Sequence, residues 1–226
     1  VTTAVDIVIP TLNAGASLGS ALAARPAHPD LAFPTTICDG GSRDDTVAIA
    51  RRAGVAVVTA AAGRGGQLAT GAAAGRAPWI LFLHADTRLQ SGAGNVIACF
   101  VRSVDGKAGY FRLRFDSEEA GARRVERLAA WRCRSFGLPY GDQGLLISRP
   151  HYECLGGFRP LPLMEDVDLV RRIGRNNLLP LDADALTSAA RYRRDGWLLR
   201  PLRNLTCLTL YFAGVPTQTL RRLYGR

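Results

Sequence analysis

The chain has 226 residues, 47% of them hydrophobic and 21% charged, with a formal net charge of +10. That length buries a substantial core in one domain and leaves no room for a second independent one beyond a helical annex, and the composition excludes an intrinsically disordered protein. No run reaches the roughly 18 to 20 consecutive apolar residues that cross a bilayer. The opening residues Val1 to Ile9 lack the basic region, apolar stretch and cleavage site of a signal peptide and read as a first strand. Five cysteines, Cys38, Cys99, Cys133, Cys154 and Cys207, are scattered with no Cys-x-x-Cys pair, which speaks against zinc or redox chemistry and fits a cytoplasmic protein. Lys107 is the only lysine; the other cationic side chains are Arg, whose planar fork matches phosphate. Nucleic acid, anionic membrane and phosphorylated ligands are the partner classes this charge leaves open.

In chain order, the first half alternates β-rich and helical runs. Strands are expected at Asp6–Pro10, Thr35–Cys38, Val55–Thr59 and Trp79–Leu83, with helices near Ser17–Ala24, Asp44–Ala53 and Gln67–Ala74. This rhythm predicts an α/β fold with a mostly parallel central sheet flanked by helices. Ser42 and Asp45 have the spacing of a capping box for the second helix, which Gly54 closes. From Gly92 the rhythm changes to a helix near Gly94–Val104, a strand over Gly109–Phe115 and a basic amphipathic helix over Ala120–Phe136. Gly141-Asp142-Gln143-Gly144 then introduces the apolar run Leu145–Ile147, Pro150 suits the first turn of a short helix ending at Gly156-Gly157, and Met164–Ile173 is a helix with Val167, Val170 and Ile173 on its buried stripe.

The run Trp79-Ile80-Leu81-Phe82-Leu83 ends in His84-Ala85-Asp86, so a buried strand delivers a carboxylate to the edge where open α/β sheets bind ligands. Asp39 follows an earlier strand, and Glu165-Asp166 opens a helix. Gly63-Arg64-Gly65-Gly66-Gln67 is a loop entering a helix whose amides and Arg suit a diphosphate. It has neither the Gly-Lys-Ser/Thr end of a Walker motif nor the Gly-x-Gly-x-x-Gly spacing of a dinucleotide fingerprint.

Together these residues resemble family 2 glycosyltransferases of GT-A fold over about residues 4 to 175. The resemblance rests on Val8-Ile9-Pro10-Thr11-Leu12-Asn13, on Asp39-Gly40-Gly41-Ser42-Arg43-Asp44-Asp45-Thr46, on Gly63-Arg64-Gly65-Gly66, on His84-Ala85-Asp86 at the family's Asp-x-Asp position, on Gly156-Gly157-Phe158 and on Glu165-Asp166. More narrowly, Leu83-His84-Ala85-Asp86-Thr87, Tyr140-Gly141-Asp142-Gln143-Gly144 and Leu163-Met164-Glu165-Asp166-Val167 are similar to a bacterial subgroup associated by neighbourhood with radical-SAM or selenium-related proteins. The resemblance implies a GT-A-like nucleotide-binding domain over 1–186, with a nucleotide-sugar half about 1–90 and an acceptor half about 91–186, followed by a basic, partly apolar helical annex over 187–226.

It also implies site roles. Pro10, Thr11, Asn13 and Asp39 surround the nucleoside, with Asp39 accepting a hydrogen bond from the base; Arg64 and Gln67 lie close by. Asp86 holds Mn²⁺ or Mg²⁺ with the nucleoside-diphosphate sugar. His84 replaces the first Asp of Asp-x-Asp and either meets a ribose hydroxyl or packs beneath the site. Asp166 is the general base of an inverting transfer, Glu165 shapes the site or meets the acceptor, Asp142 either contacts the acceptor or makes a turn, and Arg191 clamps the diphosphate. The partners implied are a nucleotide-sugar donor, built on UDP, and an acceptor that is lipid-linked or membrane-proximal, with no nucleic acid. The tail from Thr187 carries eight Arg and one Asp among apolar residues, which reads either as core-packed helices or as a peripheral surface at the inner face of the membrane. Two other readings compete: a nucleotidyltransferase, which lacks its glycine-rich triphosphate loop and Lys here, and a non-catalytic membrane- or nucleic-acid-binding protein using the basic tail.

Overall fold

The computed structural model of the protein describes residues 3–224; Val1 and Thr2 of the expected first strand, and Gly225 and Arg226 of the tail, lie outside the described residues. The first half runs β1 (Thr3–Thr11), α1 (Gly15–Ala23), β2 (Leu31–Ala32), β3 (Thr35–Asp39), α2 (Thr46–Arg52), β4 (Ala56–Thr59), α3 (Arg64–Ala74) and β5 (Trp79–Phe82). The second runs β6 (Thr87–Leu89), α4 (Ala93–Ser103), β7 (Ala108–Phe115), α5 (Ala120–Phe136), β8 (Leu145–Ser148), α6 (Arg149–Cys154), α7 (Glu165–Ile173) and β9 (Leu178–Thr187), and the tail forms α8 (Ala190–Asp195), α9 (Leu199–Phe212) and α10 (Thr217–Tyr224). The main path of the sheet is β4-β3-β1-β5-β8-β7-β9-β6, with β2 beside the start of β1. Only β8 and β6 run against the others, so the mostly parallel sheet expected from the sequence is present.

Strand alternation divides the core between the two faces of this sheet. Val8, Ile80, Phe82 and Ile147 point to the side covered by α3 and α7, where Leu68, Val167, Val170 and Ile173 meet them. Ile7, Ile9, Leu81 and Leu146 point to the side of α1 and α4, against Leu18, Leu22 and Ile97. A smaller cluster joins Leu113 and Phe115 of β7 to Ala122, Val125 and Ala129 of α5 and Tyr192 of α8. The tail adds Cys207, Leu208 and Leu220 to the first of these cores, so the annex is packed onto the domain.

Two local expectations need correction. Ser42 and Asp45 form no capping box: the Ser42 hydroxyl is spent on Asp39, and α2 starts without a side-chain cap from Asp45. Asp44 does that work instead, accepting from the Thr46 amide at 3.1 Å with one oxygen and from the Gly15 amide at 2.9 Å with the other. The ten-residue β9 was not expected, although Leu181, Ala183, Ala185 and Thr187 alternate as its buried face. Pro180, Ala and Asp are poor strand formers, and β9 is held by pairing with β7 and β6.

Candidate functional site

The carboxyl ends of β1, β3, β5, β7 and β9 share one edge, and the turn Tyr140–Gln143 leading into the reversed β8 joins them there. At the β1–β3 corner Thr11 lies opposite Asp39. Asp39 is buried, and it accepts from the Thr11 hydroxyl at 2.9 Å, the Ser42 hydroxyl at 2.5 Å, the Ser42 amide at 2.8 Å and the Gly41 amide at 3.0 Å. Burial pushes its carboxyl up, and these four donors outweigh burial and hold it below the usual range. With four donors the carboxylate is saturated, so a nucleobase N–H reaches it only by displacing one of them, and the Ser42 hydroxyl is the rotatable one. Asn13, in the left-handed region at φ 51°, donates its amide to Ser42 Oγ at 2.8 Å and accepts from the Arg43 amide at 2.9 Å. Gln67 is buried beneath this corner and donates both amide hydrogens to backbone, to Thr11 O at 2.7 Å and Cys38 O at 2.8 Å. It ties β1 to β3 and supports the nucleoside corner from below.

A second group converges a short way along the edge, around a cavity of about 100 Å³ lined by Arg64, His84, Asp86, Asp142, Asp166 and Arg191. Thr87 and Thr187, hydroxyls 3.2 Å apart, pin the turn after β5 to the end of β9, which sets Asp86 beside Arg191 at 3.5 Å. Asp166 is fixed at both oxygens: Oδ2 accepts from the Gly141 amide at 2.8 Å, and Oδ1 from the Val167 amide at 2.8 Å. Gly141 lets the His84 ring come close, because a Cβ there would lie 2.5 Å from His84 Nε2 and force the ring to shift. His84 in turn meets Arg64 at 3.2 Å, and Arg64 is held through Nε by the buried Glu165 at 2.6 Å. Burial acts to lower the Arg64 guanidinium, and the carboxylates of Glu165 and Asp166 outweigh it and raise it. Glu165 therefore positions Arg64.

Asp142 is an electrostatically perturbed carboxylate in the cavity. Burial, reinforced by Asp166 and Asp86, pushes its carboxyl up to about 6 against the pull of Arg132 and Arg64. Its Oδ1 is buried without a hydrogen-bond partner among the described residues. Asp86, Asp142 and Asp166 supply hard oxygen donors, and Arg191 lies 3.5 Å from Asp86. No cluster of three or more ligating side chains forms a closed metal cage among the described residues. The donor set nevertheless suits Mg²⁺ or Mn²⁺ held by one or two carboxylates plus substrate phosphates.

Sequence reasoning singled out Arg64, His84, Asp86, Asp166 and Arg191, which line one cavity, whereas Pro10, Thr11, Asn13 and Asp39 form the adjoining corner and do not line it. It missed the walls. Tyr192, Arg200, Asn204 and Tyr224, all from the tail, close one side, with Arg200 buried and reaching Tyr224 Oη at 3.5 Å. Tyr140, under the Arg132 guanidinium at 3.4 Å, closes another. The Tyr-Gly-Asp-Gln motif signalled Tyr140; nothing local signalled Asn204 or Tyr224.

Residues 6–123 match the model of glycosyl transferase family 2, just over half of the chain. Among solved structures, mannosyl-3-phosphoglycerate synthase from Rubrobacter xylanophilus is 19% identical, with a TM-score of 0.60 over 94% of this chain and 75% of that one. A mannosyltransferase from Pyrobaculum calidifontis, solved with GDP-Man and Mn²⁺, is 16% identical, with a TM-score of 0.65 over 90% and 60%. Glucosyl-3-phosphoglycerate synthase from Mycobacterium tuberculosis, solved with Mn²⁺, UDP and glucosyl-3-phosphoglycerate, is 21% identical, with a TM-score of 0.56 over 82% and 71%. The chain thus spans 60 to 75% of the length of these three structures, and at these identities they speak to the fold. No match was found among curated proteins. The fold and the edge it builds are those of the GT-A class. The chain belongs to glycosyl transferase family 2.

Proposed function

We propose that the protein transfers a glycosyl group, with inversion, from a uridine diphosphate sugar to an acceptor hydroxyl. The observation that carries this is the meeting, around one cavity at the carboxyl edge, of the Asp86–Arg191 pair and the doubly fixed Asp166. The solved neighbours with UDP or GDP-Man and a divalent metal support the donor class.

In this reading the nucleoside sits at the Thr11–Asp39 corner and the diphosphate runs toward Arg191. Asp86, with Asp142 near it, would hold Mn²⁺ or Mg²⁺, which when bound supplies positive charge to the diphosphate. Arg64 and Arg191 add fixed cations for the charge the leaving group gains. Asp166, its oxygens oriented by two backbone amides, takes the proton of the acceptor hydroxyl; the acceptor oxygen bonds to the anomeric carbon as the bond from that carbon to the phosphate oxygen breaks, and the electron pair leaves with the nucleoside diphosphate. Asp142 is the second reading for the base, favoured by its raised carboxyl and unpartnered Oδ1.

The product's anomeric configuration, read by NMR, tests the mechanism: inversion is expected, and retention would rule out single displacement. A protein working at the inner face of a membrane is part of the same proposal. No helix among the described residues is long and apolar enough to cross a bilayer, so that contact would be peripheral.

A further inference from the structure

Behind the Tyr140–Asp142 wall lies a much larger cavity, a groove of about 800 Å³ between α5 and α9. Its walls are apolar: Val125, Leu128, Ala129 and Trp131 from α5 face Leu202, Leu205, Leu208 and Phe212 from α9. Leu128, Trp131, Leu202 and Leu205 are each more than half exposed, so this surface has no protein covering it among the described residues. The volume is in the range of roughly 300–1,000 Å³ usual for small-molecule sites.

Four residues, Tyr140, Asp142, Tyr192 and Asn204, line both the groove and the catalytic cavity, so the two spaces meet at them. At that junction two acceptor atoms, Asp142 Oδ1 and Asn204 Oδ1, are buried without a hydrogen-bond partner among the described residues. Such orphans are costly in a native protein and mark a place where a donor is expected. An apolar trough that ends at two orphaned acceptors beside a candidate base has the shape and chemistry of an alcohol with a long chain. The other charged residues of the groove are Arg132, Arg171 and Arg175.

We propose that this groove seats the acceptor, and that the acceptor is an amphiphile whose single apolar chain lies between α5 and α9 and whose hydroxyl-bearing head rests at Asp142 and Asn204. The inference rests on the glycosyl-transfer reading and adds the class of acceptor to it.

Titrations of the full chain with 1-octanol, 1-decanol and 1-dodecanol test the groove directly. Affinity is expected to rise by about 4-fold per added methylene, the factor for burying a CH₂ group. Leu205→Arg, at an exposed wall position, is expected to weaken 1-dodecanol by at least about 10-fold while UDP with Mn²⁺ binds as before. Asn204→Leu is expected to narrow the preference for 1-dodecanol over 1-methoxydodecane while the chain-length dependence persists. Affinity independent of chain length overturns the proposal, and so does a wild-type dimer in sedimentation that Leu205→Arg splits, because the groove would then be covered by a second copy of the chain. Failure of UDP to bind wild type with normal alcohol binding would sink the donor reading and leave the groove standing.

Discussion

The two acids at the heart of the site differ in environment, and the difference separates their roles. Asp166 has both oxygens fixed by backbone amides, whereas Asp142 is buried with one oxygen unpartnered and its carboxyl pushed up to about 6. Asp166→Asn is expected to slow transfer by on the order of 10² to 10⁴ while UDP still binds. A comparable loss in Asp142→Asn with near-normal turnover in Asp166→Asn would move the base to Asp142. Asp142 also bears on stability. Its folded carboxyl titrates above the unfolded value of 3.8, so the folded state holds the extra proton between the two values and stability falls as pH rises from about 4 through 6. Asp142→Asn removes that penalty and should raise the melting temperature at pH 8, by a stability increment on the order of 3 kcal/mol, with less gain at pH 4. Thermal melts at the two pH values check this; an equal shift at both would show that Asp142 does not titrate in this way.

At the scale of elements, the site is a set of strand ends held in register by polar ties. Gln67 bridges the Thr11 carbonyl of β1 and the Cys38 carbonyl of β3, so Gln67→Ala leaves Thr11 O with the Gly40 amide alone and Cys38 O without this donor. A loss of about 1 to 3 kcal/mol in urea unfolding is expected, together with weaker UDP binding. Gly141→Ala is expected to retain secondary structure by circular dichroism and slow transfer, since the new Cβ pushes the His84 ring from its place beside Arg64 and crowds Asp166. Elements of this kind were legible where local pattern and tertiary role coincide. The apolar run into His84-Ala85-Asp86 announced β5 and its acid, and the amphipathic stretch Ala120–Phe136 announced α5 at the bounds observed. They were illegible where long-range pairing decides. β9 has Pro, Ala and Asp at half of its positions and exists because β7 and β6 flank it, and the distribution of Ser42, Asp44 and Asp45 among caps depends on Asp39 and Gly15, which local spacing does not encode.

For the whole molecule, net charge alone misdescribes the tail. Arg193 pairs with Glu119 at 2.8 Å, while Arg194, Arg200 and Arg203 converge on Asp195 at 2.7, 2.6 and 3.2 Å. The Asp195 carboxyl is held well below its usual range, first by its hydrogen bond from Arg194. These arginines are therefore occupied, and neutralising them would loosen the tail. What the tail offers outward includes Leu198 and Leu199, 72% and 69% exposed, and the exposed cations Arg221 and Arg222. Peripheral binding to anionic vesicles is expected to weaken with salt, since exposed charges are screened over about 8 Å at physiological ionic strength. Leu198→Ser with Leu199→Ser should reduce co-sedimentation and leave UDP affinity unchanged. Wild-type protein that stays in the supernatant at low salt would remove the membrane from the proposal.

Tyr224 of α10 borders the cavity, whereas Thr3 opens β1 at the opposite edge of the sheet. The two ends of the described fold are thus unequal places to carry added mass. A fluorescent protein placed beyond α10 is expected to crowd the cavity and slow turnover, and the same protein placed ahead of β1 is expected to leave turnover unchanged. Comparing the two fusions in one transfer assay reads the position of α10 without any substitution in the chain.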